Sequence, residues 1–174
     1  MARAAPAKAA SAQRNGWLRL DDEALRKQCR EERYRSSGPG GQRRNKVETA
    51  VRFHHTASGL SAHSDDSRSL RENRTRALHR LRERIALDLR APFDLDAPAL
   101  PPEFLAQRGR EGTLAVNPHN PSYPLIAATV LDALAAADGS YARAAKALGL
   151  TTSQLLRFLR ADRHLWRAAE SIRG

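Results

Sequence analysis

Cysteine, lysine and aromatic residues are scarce in this chain, and each shortage closes something off. A single cysteine, Cys29, excludes a disulfide framework and a cysteine-based metal cage, and fits a reducing compartment; a half-buried place on a helix is expected for it. Aromatics make up 5% of the 174 residues, so the core must be mostly aliphatic, with Trp17 and Trp166 as anchors near the termini. No apolar run approaches the roughly 18 residues of a membrane span. The longest, Pro124 to Ala137, is interrupted by Asp132. His54, His55 and His63 have no carboxylate or cysteine at ligand spacing, so surface histidines and no metal site are expected. A Ser/His/Asp or Cys/His nucleophile arrangement, a phosphate-binding P-loop and a paired-carboxylate signature are also missing. No cofactor is expected.

Arginine is what the chain has in excess. Of 30 basic residues only Lys8, Lys27, Lys46 and Lys146 are lysine, and the formal net charge is +11. Planar guanidinium forks pair with phosphate in bidentate fashion, so a nucleic acid is the expected partner. The excess is uneven. Residues 26–90 hold 17 basic and 8 acidic residues, whereas residues 91–174 hold 9 and 8. The polyanion surface is therefore expected in the first of these segments.

Residues 1–16, rich in alanine and arginine, read as a disordered basic arm. The first 20 residues lack acids, as a transit peptide would, but show no clear amphipathic stripe. Asp21 can cap a short helix, residues 31–36 read as a strand, and Asn45 to Thr49 as a short helical turn. Ala50 to His55 alternates like a half-buried strand, and Leu60 to His63 returns as its hairpin partner. Ser69 to Arg90 predicts a long helix with apolar positions at Leu70, Ala77, Leu78, Leu81, Ile85 and Leu89 and an arginine-covered opposite face. Residues 91–121, where proline recurs, read as a linker or irregular layer. Residues 122–174 predict helices over about 124–137, 141–148, 152–161 and 165–172.

One stretch stands apart. Ser37 to Arg43 reads SGPGGQR, and the basic residues Arg43, Arg44 and Lys46 are in it or follow it. Glycines let a backbone approach a ligand closely. A backbone N–H brought close in this way can stabilise a developing negative charge without any nucleophilic side chain.

Arg35 to Ile85 resembles the catalytic domain of class I peptide chain release factors and their ribosome-rescue relatives. The resemblance rests on the Gly-Gly-Gln triplet, the Asn-Lys pair after it, the hairpin, and the basic helix opened by Arg-Ser, in that order and at that spacing. It implies a small α/β domain that enters the peptidyl transferase centre and hydrolyses the ester joining nascent chain to tRNA. Gly40, Gly41 and Gln42 fall on the catalytic triplet. Arg35, Arg43, Arg44, Asn45, Lys46, Arg68, Arg71, Asn73, Arg74 and Arg76 are the implied contacts to rRNA and tRNA. The partners implied are the ribosome's large-subunit rRNA, peptidyl-tRNA and a glutamine methyltransferase acting on Gln42, with a cytoplasmic location, no membrane and a monomeric state expected. The sequence departs from the family at Arg43 and Arg44, where a histidine or similar polar residue and then a small aliphatic one are usual, and at Leu70, which replaces a polar residue. The stretch before Gly38 is too short for a codon-reading domain, so a codon-independent, rescue-like member is expected.

Ser140 to Arg160 is similar to the C-terminal helix-turn-helix of Fis-type DNA-binding proteins, through Ala144, Ala145, Leu148, Gly149, Leu155, Phe158 and Leu159. Thr152, Ser153, Gln154, Arg157 and Arg160 are the candidate nucleic-acid or partner contacts there. A generic helical hairpin would use the same small-residue packing. The expected fold is α+β: a release-factor domain over 17–90 with a short sheet packed by a long basic helix, a proline-rich linker over 91–121, and a helix-turn-helix-like all-α domain over 122–174. The alternative function is a non-catalytic RNA- or DNA-binding regulator with a vestigial Gly-Gly-Gln loop.

Overall fold

Asp21 starts the sheet-bearing part of the chain: its side chain accepts from the Ala24 N–H at 2.7 Å and caps a short helix. That arrangement is seen in a computed structural model, which describes residues 13–35 and 48–174. The described residues form eight helices and three strands: α1 (13–19), α2 (Asp22–Lys27), β1 (Cys29–Tyr34), β2 (Ala50–His55), β3 (Ser61–Ser64), α3 (Leu70–Asp88), α4 (Pro102–Gln107), α5 (Tyr123–Ala136), α6 (Tyr141–Leu148), α7 (Thr152–Arg160) and α8 (Arg163–Arg173). The α+β class stands. The chain divides into two units, a sheet unit over Leu20–Ile85 and a helical unit made of residues 13–19 and Ala86–Gly174.

In the sheet unit, β1, β2 and β3 form an antiparallel meander. Val51, Phe53 and His55 of β2 and Ala62 and Ser64 of β3 alternate inward and are buried. Helix α3 supplies the other layer through Asn73, Ala77, Leu78, Leu81 and Ile85. Its arginines fasten it to the sheet edge. Arg84 donates to the Ser61 carbonyl at 2.8 Å and Arg80 to the His63 carbonyl at 2.9 Å. One helical turn thus spans two strand residues, and the outward carbonyls of the edge strand are occupied.

Two expectations change here. Cys29 is half-buried, but on β1 rather than on a helix; its thiol donates to the Leu25 carbonyl at 3.2 Å, and burial pushes it up to about 11. His55 is not at the surface. Its Nδ1 accepts from the Ser58 N–H, which leaves Nε2–H to donate to Gln28 Oε1 at 3.2 Å, and burial lowers its affinity for a second proton. His54, on the next residue of the strand, faces the opposite way, 3.2 Å from Glu32.

In the helical unit, α5 is buried almost all round and forms the centre of the core. Residues 13–16, expected within a disordered arm, are helical, and an ion pair explains why. Arg14 is fully buried and donates to both carboxylate oxygens of Asp132 on α5, and to the Leu89 carbonyl. Burying Asp132 without such a partner would be costly. The proline-rich residues 91–121 contain α4 and put Phe104 and Leu114 into the core. Helices α6, α7 and α8 are capped by Ser140, Thr151 and Asp162. No helix among the described residues is long and apolar enough to cross a membrane.

Candidate functional site

Residues 36–47 lie outside the described residues. They include the expected triplet Gly40, Gly41 and Gln42, the basic positions Arg43, Arg44, Asn45 and Lys46, and part of the helical turn expected over Asn45 to Thr49. Both chain ends flanking this segment are described. They leave and enter adjacent antiparallel strands, where Tyr34 pairs with Ala50. Just beyond, Arg35 Nε lies 3.7 Å from Glu48 Oε1. The segment therefore joins β1 to β2 across the end of a hairpin.

Asn73 fixes the return side. Its Nδ2 donates to the Thr49 carbonyl and to the Ser67 carbonyl, each at 2.8 Å. Its Oδ1 accepts from the Ser67 N–H at 2.9 Å and from the Ser64 hydroxyl at 3.2 Å. An amide offers two donors and one carbonyl oxygen, and all of that capacity is used. The side chain is fully buried. Asn73 was expected to touch RNA; instead it ties three chain segments together and has no face left for a phosphate.

Arg74, also expected at RNA, points back to the sheet and donates to Glu31 Oε1 at 2.6 Å and 3.0 Å. Arg26 and Arg33 reach the same carboxylate. Burial alone would raise Glu31, but hydrogen bonds from Arg74 and Arg33 and the charges of Arg74 and Arg26 hold it below the usual carboxylate range. Arg76 stays about half exposed, with only long approaches of 3.7 Å to Asp66 and Glu72. Arg68 and Arg71 are exposed, and no ion pair among the described residues holds them. Of the expected contacts near α3, then, Arg68, Arg71 and Arg76 present charge outward. Arg68 precedes α3, and Arg71 and Arg76 lie on its first turns, on either side of Asn73, the brace of Thr49.

In the helical unit, Gly149 ends α6 with φ +66° and Thr151 starts α7, accepting from the Gln154 N–H at 3.2 Å. The turn between them is braced from residues that sequence reasoning did not single out. Arg108 donates to the Leu148 carbonyl at 3.1 Å, and Gly112 fits so closely that a Cβ there would sit 3.0 Å from the Gly149 carbonyl oxygen. Thr152, Ser153, Arg157 and Arg160 are exposed and Gln154 is partly so. No group of three or more histidine, cysteine or acidic side chains among the described residues could hold a metal ion.

Residues 21–93 match the family model described as the RF-1 domain. The chain is similar to peptide chain release factor 1 of Lacticaseibacillus casei, 49% identical over 59 residues, which is 34% of this chain and 16% of that protein. It is similar to peptide chain release factor 1 of Chloroherpeton thalassium, 43% identical over 66 residues, 38% of this chain and 18% of that protein. Peptide chain release factor 2 of Paramagnetospirillum magneticum is 39% identical over 66 residues, with the same coverage of 38% and 18%. The match thus spans less than a fifth of these relatives' length. No solved structure matches the chain.

Proposed function

We propose that this chain, whose residues 21–93 match the RF-1 domain, acts as a member of the class I peptide chain release factor family and hydrolyses the peptidyl-tRNA ester on the ribosome without reading a codon. The observation that carries this reading is the mounting of the Gly40-Gly41-Gln42 segment. The described residues that flank it are fixed, Tyr34 by pairing with Ala50 and Thr49 by the bond from Asn73, and Arg68 and Arg71 are exposed. In the proposed reaction water attacks the ester carbonyl while the Gln42 backbone N–H donates to the developing oxyanion. The glycines permit the approach, and the outward arginines hold rRNA and tRNA phosphates. Codon independence fits the fact that residues 94–174 fall outside the family match and belong to a helical unit. The helix-turn-helix-like pair α6–α7 then serves as the recognition module. The protein acts in the cytoplasm as a monomer, and Gln42 is the residue a glutamine methyltransferase would modify.

The test is peptide release from ribosomes programmed either with a stop codon or with a vacant A site. Wild-type protein should release peptide equally in both. Gln42→Pro, which removes the donor N–H, should abolish release while the circular dichroism spectrum is unchanged. Full activity of Gln42→Pro would sink the mechanism. A wild-type protein that binds ribosomes without releasing peptide would favour the non-catalytic regulator.

A further inference from the structure

The charge near neutrality of residues 91–174 conceals a local excess. Of their acidic residues, Asp94, Asp96, Glu103 and Glu111 precede α5, Asp132 is buried against Arg14, and Asp138 lies 3.3 Å from Arg143. On α7 and α8, by contrast, the only carboxylates are Asp162 and Glu170, and both are committed. Asp162 caps α8 and accepts from the Tyr123 hydroxyl at 3.2 Å; Glu170 accepts from the Tyr141 hydroxyl at 2.7 Å. The same helices expose Arg157, Arg160, Arg163 and Arg167. No ion pair among the described residues holds any of them. Helical periodicity gathers them. Leu155, Phe158 and Leu159 bury one side of α7, which leaves Ser153, Arg157 and Arg160 opposite; Leu165 and Ala169 bury one side of α8, which leaves Arg163 and Arg167 opposite.

An aromatic ladder fixes how these helices sit and what they can grip. Arg160 lies over the Trp166 ring at 5.1 Å, Trp166 stacks on Tyr141 at 6.3 Å, and Arg173 covers Tyr141 at 4.5 Å. The ladder is closed by a guanidinium at each end. Neither ring of the ladder is open to a nucleobase, and the unpaired arginines around it favour a ligand held through its backbone. Arginine forks without competing carboxylates suit phosphate.

We propose that the α7–α8 face, through Arg157, Arg160, Arg163 and Arg167, is a second RNA-binding surface that grips the phosphate backbone of double-stranded RNA independently of sequence. RNA is chosen because the same chain carries a release-factor domain. The proposal concerns a different unit from the Gly-Gly-Gln segment and does not depend on hydrolysis.

The experiment uses the full chain carrying Arg68→Gln and Arg71→Gln, so that α3 contributes less background, and measures fluorescence anisotropy with a labelled RNA hairpin across a salt series. Adding Arg157→Gln, Arg163→Gln and Arg167→Gln should weaken binding by about tenfold or more and lower the log–log salt slope by roughly 2 to 3. Changing the stem sequence should leave affinity unchanged. Photo-crosslinking of the wild-type chain to the hairpin supplies a readout without any variant, and adducts should map to residues 152–167. Unchanged affinity and slope in the five-site variant, tighter binding to the matching DNA duplex than to RNA, or adducts confined to other residues would each overturn the proposal.

Discussion

Replacing Asn73 with alanine should loosen the root of the Gly-Gly-Gln segment without touching the segment itself. The side chain makes four hydrogen bonds, to Thr49, Ser64 and both backbone groups of Ser67. Alanine strands the Thr49 carbonyl and both backbone groups of Ser67, while the Ser64 hydroxyl keeps Asp66 Oδ2 at 3.2 Å. A stranded buried polar group costs about 1–3 kcal/mol, and less where water can reach it. The bond to Ser64 is buried and the other three are partly buried. Counting about 1 kcal/mol for each of the three partly buried backbone groups gives about 3 kcal/mol. Tryptophan fluorescence would miss this, since Trp17 and Trp166 both belong to the helical unit. Native-state hydrogen exchange at Val51 and Phe53 reports the sheet unit directly. Their protection should fall about a hundredfold, because each 1.4 kcal/mol is a factor of ten. Exchange at Ile126 and Val130, in the helical unit, should change far less. Peptide release should drop with Gln42 intact. A threefold or smaller change at Val51 and Phe53 would refute the assignment of Asn73 as the brace.

Two further perturbations test the frame. Arg14→Ala strands Asp132 inside the helical unit and should cost about 3 kcal/mol, the low end for a broken buried pair, because Ala91 N–H still bonds Asp132 and Arg90 remains 3.6 Å away. Urea denaturation followed by tryptophan fluorescence measures it, and a loss under about 1 kcal/mol would contradict the buried pairing. His55 gives a pH dependence. Burial lowers its pKa below 6.5, so the unfolded chain binds the proton first; stability is full above about 6.5 and is lost as pH falls from there through the folded value. Urea midpoints read by circular dichroism between pH 7.5 and 5 should decline in the wild type and flatten in His55→Gln; equal slopes would show that another group is responsible.

The elements legible in the sequence are those with strong local rules. Asp21 at its cap, β2 over Ala50–His55 and α6 over Tyr141–Leu148 follow from capping, alternation and a terminal glycine. The misreadings have one physical cause: polar residues doing core work. β1 alternates weakly because its inward position Glu31 meets Arg74 rather than an apolar neighbour. Arg14 looked like part of a basic arm because its partner, Asp132, is 118 positions away. Asn73 did carry a signal. It lies four residues before Ala77, on the apolar stripe of α3, and a polar residue on a buried stripe must find partners there.

Charge counted along the sequence and charge available to a partner are therefore different quantities in this protein. The arginine face of α3 looked like one continuous polyanion surface. Arg74 is spent on Glu31, Arg80 on Asp66 and the His63 carbonyl, Arg82 on Asp22 and the Leu20 carbonyl, and Arg84 on the Ser61 carbonyl. Those four assemble the sheet unit, and a guanidinium already held by a carboxylate or carbonyl must give up that bond before it can take a phosphate. What remains outward is Arg68 just before α3 and Arg71 and Arg76 on its first turns, on either side of Asn73, which holds Thr49. The consequence is a gradient along one helix. Removing charge at Arg68 or Arg71 should weaken nucleic-acid binding with little effect on folding, whereas removing it at Arg80 or Arg84 should strip the cover from the edge of β3 and act on stability first.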